Sequence, residues 1–156
     1  MAKYILSFLI SMVPLIELRA GVPFAISMGM DQFAAIAVCA LGNMIPVPFI
    51  YFFARKFLLW GQNKRYIGKI CGFFLLKGEK AGQKLTAKTG RGGLFVALLL
   101  FVGIPLPGTG AWTGTLAASF LNMGFKSAVV SVTLGVLLAG CIMALASTGV
   151  FSIIGL

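Results

Sequence analysis

Two long apolar stretches of the chain are each interrupted near the middle by proline, glycine and polar residues. In the first, an apolar arm at 4–16 leads to a break at 17–23 and then to a second, shorter arm. In the second, arms at 94–104 and 111–123 enclose a break at 105–110. Irregular backbone at membrane depth is tolerated only where protein or a water-filled cavity surrounds it, so both breaks are candidate functional sites.

A longer apolar segment follows each broken stretch. Residues 33–54 and 127–155 are long enough to cross a bilayer, which takes about 20 helical residues. Pro46 and Pro48 lie inside the first of these segments and predict a kink, because proline cannot donate a helical hydrogen bond. The pattern therefore predicts an all-α integral membrane protein.

The two halves of the chain share one order of elements: arm, break, arm, short polar turn and crossing helix. A shift of 93 positions brings four pairs of identical residues or dipeptides into register: Pro14 with Pro107, Gly21 with Gly114, Met30 with Met123, and Leu41-Gly42 with Leu134-Gly135. Together they predict an internal repeat. We expect a single membrane domain over 1–156, with repeat one at 4–54, a basic segment at 55–93 and repeat two at 94–156.

Composition supports a membrane location, since 60% of the residues are apolar and only 10% are charged, against about 25% charged in soluble domains. The net charge is +10, and ten of the thirteen Lys and Arg residues lie between Arg55 and Arg91, opposed there only by Glu79. The positive-inside rule places this segment in the cytoplasm and accounts for the charge without nucleic acid as a partner. A domain of this size is too small to enclose a substrate pathway alone, so we expect a homo-oligomer.

The basic segment carries five cations at helical spacing, along one face: Lys77, Lys80, Lys84, Lys88 and Arg91. This spacing fits an amphipathic helix lying on anionic lipid. It fits equally well an ordinary cytoplasmic linker.

Two topologies are compatible with the breaks. If each broken stretch is a re-entrant hairpin, the two halves are inverted copies and Lys126 lies in the cytoplasm. If each broken stretch spans the membrane, the halves are parallel and Lys126 lies outside. The positive-inside rule favours the inverted hairpins.

The first break contains the only ionisable groups at membrane depth in its half of the chain, Glu17 and Arg19. A lone charge at that depth is costly, so such residues usually face a partner or a cavity. Three roles fit: a structural ion pair, a proton or cation site at Glu17, or an anion site at Arg19.

The second break has no charge but exposes backbone groups. Pro105 and Pro107 end the incoming arm, and Gly108-Thr109-Gly110 permits backbone conformations closed to other residues. The following arm then begins with free N–H groups, which favour an anion such as phosphate, and Arg19 could complete that site. Trp112 is expected to form a wall of the site or to pack in the core.

Enzymatic chemistry is not expected. The chain has no histidine, only three acidic residues and three isolated cysteines, so we expect no catalytic group, no metal site and no cofactor.

Three motifs carry a resemblance to known proteins: Pro14-Leu-Ile-Glu17-Leu-Arg19-x-Gly21-x-Pro23-x-Ala25, Gly42-Asn43 with Pro46, and Pro105-Leu-Pro107-Gly108-Thr109-Gly110-Ala111-Trp112-Thr113-Gly114. They resemble the small multidrug export protein family, which is related to the DedA-like (SNARE-associated-like) membrane proteins. The resemblance implies two inverted re-entrant hairpins, a proton-coupling role for Glu17 and an anion contact at Arg19. Pro23 and Asn43 join the candidate site as members of these motifs.

We therefore expect a transporter of an amphiphilic anionic lipid or lipid phosphate, with proton coupling as one option and membrane lipids as its partners. The alternatives are an exporter of small cationic drugs that uses Glu17, and a membrane scaffold that transports nothing.

Overall fold

The computed structural model describes residues 1–14, 16–64, 68–106 and 108–154. Every element within these ranges is an α-helix: α1 Ala2–Met12, α2 Glu17–Ser27, α3 Gln32–Met44, α4 Pro46–Gly61, α5 Gly68–Gly103, α6 Ala111–Phe120 and α7 Phe125–Ile154. The helical fold class predicted from the apolar pattern is confirmed.

Two segments of the described ranges are long and apolar enough to cross a membrane. One combines α3 and α4 over Gln32–Gly61, with a mean hydropathy of 2.0, and the other covers Phe125–Val150 of α7, with a mean hydropathy of 2.4. The first segment is interrupted at Ile45, immediately before Pro46. Ile45 itself keeps helical backbone angles, with φ of −59° and ψ of −46°, so the kink expected at Pro46 and Pro48 stays a prediction.

The first break lies earlier in the chain than the sequence indicated. The arm α1 ends at Met12 and α2 already begins at Glu17, so Pro23 lies inside a helix and not in the break. An internal proline costs a helix about 3 kcal/mol. The side chains of Leu18 and Val22 are almost fully buried, and their burial stabilises the helix despite the proline.

The basic segment begins in the last turns of α4, and its part from Gly68 onward is helical and continues into the first arm of the second hairpin. Both belong to α5, whose regular conformation is interrupted at Gly90, with φ of 70° and ψ of 178°. Lys80, Lys84 and Lys88 are exposed on its N-terminal part.

Helices α1 and α2 form an antiparallel hairpin. Lys3 Nζ, near the start of α1, donates a hydrogen bond of 2.8 Å to the carbonyl of Gly29, just after α2. Near the tip, Gly21 lies so close to Ser11 that an added Cβ would collide with the hydroxyl. Each arm has 11 residues, or about 16 Å of helix, roughly half of the bilayer's hydrocarbon thickness.

The last part of α5 and α6 form a second hairpin with the same close approach. Here Gly114 of α6 faces Val102 of α5. The 93-residue shift pairs Gly21 with Gly114 in the sequence. Each of these glycines allows the two arms of its hairpin to pack closely against each other.

The turns that follow α2 and α6 match in hydrogen bonding at the same shift of 93 residues. The N–H of Met30 donates to Ala25 and the N–H of Met123 donates to Ala118, both at 3.0 Å. The preceding residues, Gly29 and Asn122, both have positive φ, at 70° and 56°. The sequence match at the two methionines is thus accompanied by a matching local structure.

The crossing helices also contact the hairpins at paired glycines. A Cβ at Gly42 of α3 would collide with the backbone carbonyl of Phe8 in α1, and one at Gly135 of α7 would lie 2.8 Å from the carbonyl of Leu99 in α5. Such close backbone contacts through small residues are typical of packed membrane helices. In addition, α2 packs against α3 and α7, while α6 packs against α4 and α7.

Candidate functional site

The tips of the two hairpins meet through Glu17. Its side chain is only 3% exposed, and its carboxylate accepts hydrogen bonds from the backbone N–H groups of Ala111 at 3.2 Å and Trp112 at 3.0 Å. These are the first two residues of α6. A carboxylate at a helix N-terminus satisfies otherwise unpaired donors and interacts favourably with the helix dipole. Glu17 therefore caps the second hairpin's helix from the first hairpin.

Gly110 leaves the space that this contact needs. It precedes α6 with a φ of 148°, and a Cβ at this position would lie 2.7 Å from the carboxyl carbon of Glu17. A side chain here would therefore strain the backbone and displace the carboxylate. Glu17 itself has a φ of 52°, an uncommon conformation for a residue with a side chain.

Arg19 forms the second contact between the tips. Its guanidinium donates to the backbone carbonyl of Leu106 and, over 2.5 Å, to the hydroxyl of Thr109. The Thr109 hydroxyl also lies 2.9 Å from the carbonyls of Ile104 and Leu106. Through these hydrogen bonds, Arg19 and Thr109 hold together the two ends of the loop that contains Pro105. We call the contacts of Glu17 and Arg19 with the second hairpin the tip latch.

The tip latch changes two expectations about the break residues. Among the described side chains, Glu17 and Arg19 bind the second hairpin and not each other, so they are not the ion pair considered above. The N–H groups of Ala111 and Trp112 are also not free for an anion, because the carboxylate of Glu17 accepts from both.

Asn43 lies in α3 at the same level as the latch. Cys39, one turn earlier, has its sulfur 3.1 Å from the Cβ position of Gly21. Because α2 and α3 are successive antiparallel arms, one further turn along α3 brings Asn43 level with the start of α2 at Glu17. Asn43 is fully buried, and neither polar atom of its amide has a hydrogen-bond partner among the described residues. A buried amide in this state is suited to bind a polar ligand or water.

A cavity of about 520 Å³ adjoins the latch between α4, α5 and α6. Its wall is apolar and includes Phe53 and Phe57 of α4, Cys71 of α5, and Trp112 and Phe120 of α6. Trp112 thus takes part in both features, since its backbone N–H holds Glu17 while its side chain lines the cavity. The indole nitrogen is buried without a hydrogen-bond partner in the described part of the chain.

The structure brings most of the predicted site residues together and separates a few. Glu17, Arg19, Thr109, Gly110 and Trp112 form the tip latch and its immediate surroundings, with Pro105 and Gly108 in the loop that Arg19 closes. Pro23 lies more than one turn away within α2, and Pro107 falls outside the described residues.

Sequence reasoning missed the backbone carbonyl of Leu106, the binding of the N–H groups of α6 by Glu17, and the cavity wall on α4. Ile50, Phe53, Ala54 and Phe57 recur at helical spacing, a signal that identifies one helix face but not what it faces. Within the described ranges, no three His, Cys, Asp or Glu side chains lie close enough to hold a metal ion.

A family model described as "putative small multi-drug export protein" matches residues 17–142, which include both hairpin tips and the cavity wall. The chain belongs to this family. No curated protein and no solved structure matches the chain significantly. Family membership and the two long apolar helices together indicate a membrane protein of the transporter class.

Proposed function

We propose that the protein is a transporter whose two hairpins are re-entrant, enter the membrane from opposite sides and meet at the tip latch. The arms support this arrangement because α1, α2 and α6, with 10 or 11 residues each, and the apolar part of α5 over Gly90–Gly103 are all too short to cross the bilayer. The matched turns and glycine contacts support an inverted repeat, as does the resemblance to DedA-like proteins. The basic segment, including Lys80 and Lys84, would then lie on the cytoplasmic side.

The observation that carries the proposal is the contact of the Glu17 carboxylate with Ala111 and Trp112. It joins two separately anchored hairpins through one ionisable group. Protonation of Glu17 would remove its negative charge and one acceptor oxygen, so the tips would separate more easily. Proton binding could thereby open a path between the two sides of the membrane.

For the substrate we propose an amphiphilic anion, such as a lipid phosphate. Once Glu17 leaves, the N–H groups of Ala111 and Trp112 become available to a phosphate, and Arg19 is beside them. Asn43 would bind the substrate's polar group or its water. Membrane lipids and further copies of the chain are the proposed partners.

The family description supports a second candidate, the export of small cationic drugs. In that case Glu17 would alternate between the proton and the cation, and Arg19 would only oppose cation binding. The two candidates therefore differ in the role of Arg19.

Transport into proteoliposomes tests these proposals. We expect Glu17→Gln to abolish uptake of a fluorescent dodecyl phosphate, and Arg19→Ala to abolish it as well. Ethidium uptake that depends on Glu17 but survives Arg19→Ala would favour cation export instead. Asp31→Asn is the matched control, because Asp31 caps only its own helix, α3. If neither probe is transported by the wild type, the transport proposal is wrong.

Topology is tested separately, with single cysteines at positions 31 and 126 labelled from either side of the membrane. Labelling from opposite sides is expected for inverted hairpins. Labelling from the same side would contradict them.

A further inference from the structure

The cavity between α4, α5 and α6 has the size and lining of a binding site. Small-molecule sites usually have a volume of about 300–1,000 Å³, and this open cavity has a volume of about 520 Å³. All of its lining side chains are apolar or aromatic, including Ile50, Leu116 and Phe120. Such a lining fits a hydrocarbon chain and offers no partner for a charged headgroup.

A row of aromatic rings leads from the cavity wall to a cation. Phe57, which lines the cavity, packs against Trp60 with their ring centroids 6.1 Å apart. The ammonium group of Lys64 then lies 4.7 Å from the Trp60 ring centroid. The ammonium group is therefore held close to the apolar wall.

The charge along this part of the chain has one sign. No Asp or Glu occurs between Asp31 and Glu79, whereas Lys56, Lys64 and Lys69 all lie in or beside the helices that line the cavity and are exposed. A cationic headgroup at this end would meet only like charge, while an anionic one would be attracted.

We infer that this cavity binds the hydrocarbon chain of a single-chain anionic amphiphile, with its headgroup toward Lys64. The inference rests on the proposed transport function. It narrows the proposed substrate class to amphiphiles that have one alkyl chain and an anionic end. Trp112 links the two sites, because a chain against its indole ring lies next to the backbone N–H that holds Glu17. A chain bound in the cavity would thus lie directly beside the hydrogen bonds of the tip latch.

Fluorescence quenching tests the site without requiring transport. The chain has two tryptophans, so Trp60→Phe leaves Trp112 as the sole tryptophan and keeps an aromatic ring beside Phe57. We expect a bromine-labelled alkyl phosphate to quench Trp112 saturably, and the alkylammonium of equal chain length to bind at least tenfold more weakly. Lys64→Gln should reduce this preference for the anion. Equal or non-saturable quenching by both probes would overturn the inference.

Two variants that each add a phenylalanine ring, one inside the cavity and one outside it, form a matched pair. Ala54→Phe places a ring in the cavity and should weaken binding of the alkyl phosphate at least tenfold, whereas Leu145→Phe on the exposed surface of α7 should leave it unchanged. If Ala54→Phe changes the oligomeric size but not the quenching, the cavity is an interface between copies and the inference is wrong.

Cys71 gives a second measurement should Ala54→Phe fail to fold. With Cys39→Ala and Cys141→Ala, Cys71 is the only thiol, and it lines the cavity. Dodecyl phosphate should slow its labelling by an apolar maleimide, and dodecylammonium should not. Unchanged labelling at saturating dodecyl phosphate would contradict the inference.

The two proposals can fail separately. Binding in the cavity without transport would overturn the proposed function alone. Transport of dodecyl phosphate without binding in the cavity would overturn only the present inference.

Discussion

The two hairpins end in the same turn but carry different chemistry at their tips. At a shift of 93 residues, the backbone hydrogen bonds after α2 and α6 coincide, as do the positive φ values of Gly29 and Asn122. At the same shift, Glu17 corresponds to Gly110 and Arg19 corresponds to Trp112.

One hairpin therefore supplies charged side chains, and the other supplies backbone groups and the space to receive them. Two acidic tips would repel each other, and two glycine tips would leave both helix ends uncapped. The two hairpins thus share the backbone of the turn that follows them and differ in the groups at their tips.

The largest effect is expected from giving the second tip a side chain. Gly110→Ala would place a Cβ against the Glu17 carboxylate and strain the backbone at a φ of 148°. We expect a loss of about 3–5 kcal/mol in the free energy of unfolding, the combined cost of overpacking and backbone strain. Gly108→Ala is the control, since it has positive φ but open space around it. Equal unfolding temperatures of the two variants in detergent would contradict this account.

Removing the charge from the first tip should have the next largest effect. Glu17→Gln keeps the size of the side chain but replaces one acceptor oxygen with a donor facing an N–H group. Hydrogen bonds to charged groups contribute about 1.5–3 kcal/mol, and we expect a loss of stability in this range. Asp31→Asn should cost less, because asparagine caps a helix about as well as aspartate. Thermal unfolding of both variants measures the difference.

Arg19→Lys tests whether the first tip needs the several N–H donors of a guanidinium group or only a positive charge. A single ammonium group cannot easily reach both the Leu106 carbonyl and the Thr109 hydroxyl. We expect a loss of about 1 kcal/mol, corresponding to one hydrogen bond. If Thr109→Val costs the same and the double variant costs no more, the two residues act through one contact. Additive losses would show that they do not.

The smallest effect is expected where the hairpins are alike. Asn122→Gly gives the second turn the glycine that the first turn has at Gly29, and both positions have positive φ. We expect Asn122→Gly to change stability by less than about 1 kcal/mol, with transport unaffected. A change in transport would mean that the turns, and not only the tips, differ in function.

The features that the two hairpins have in common were the most predictable part of the fold. Identical residues at Gly21 and Gly114 reflect a local steric need, the close approach of two arms, which any copy of the hairpin must meet. The position of the first break was harder to predict, since Pro23 is tolerated in α2 through the burial of Leu18 and Val22 against other helices. Tertiary packing of this kind leaves no local signal.

The residues of the candidate site could be predicted from the sequence, but the hydrogen bonds between them could not. Glu17 and Arg19 stand out because charge at membrane depth is rare. Apart from the Thr109 hydroxyl, their partners are backbone groups of Leu106, Ala111 and Trp112, whose donors and acceptors are the same for almost any residue type. Residue identity therefore could not reveal that the carboxylate caps α6.

Reversible cross-linking of the two tips tests most directly whether the latch must open for transport. In a chain with Cys39, Cys71 and Cys141 replaced, cysteines at positions 20 and 106 would be joined within one chain by a short bis-methanethiosulfonate; both side chains are exposed, and the contact of the Arg19 guanidinium with the backbone carbonyl of Leu106 is kept. We predict that cross-linking stops dodecyl phosphate transport beyond the loss caused by the substitutions themselves, and that reduction restores it. Efficient cross-linking that leaves transport unchanged, or no cross-linking at all, would contradict the account.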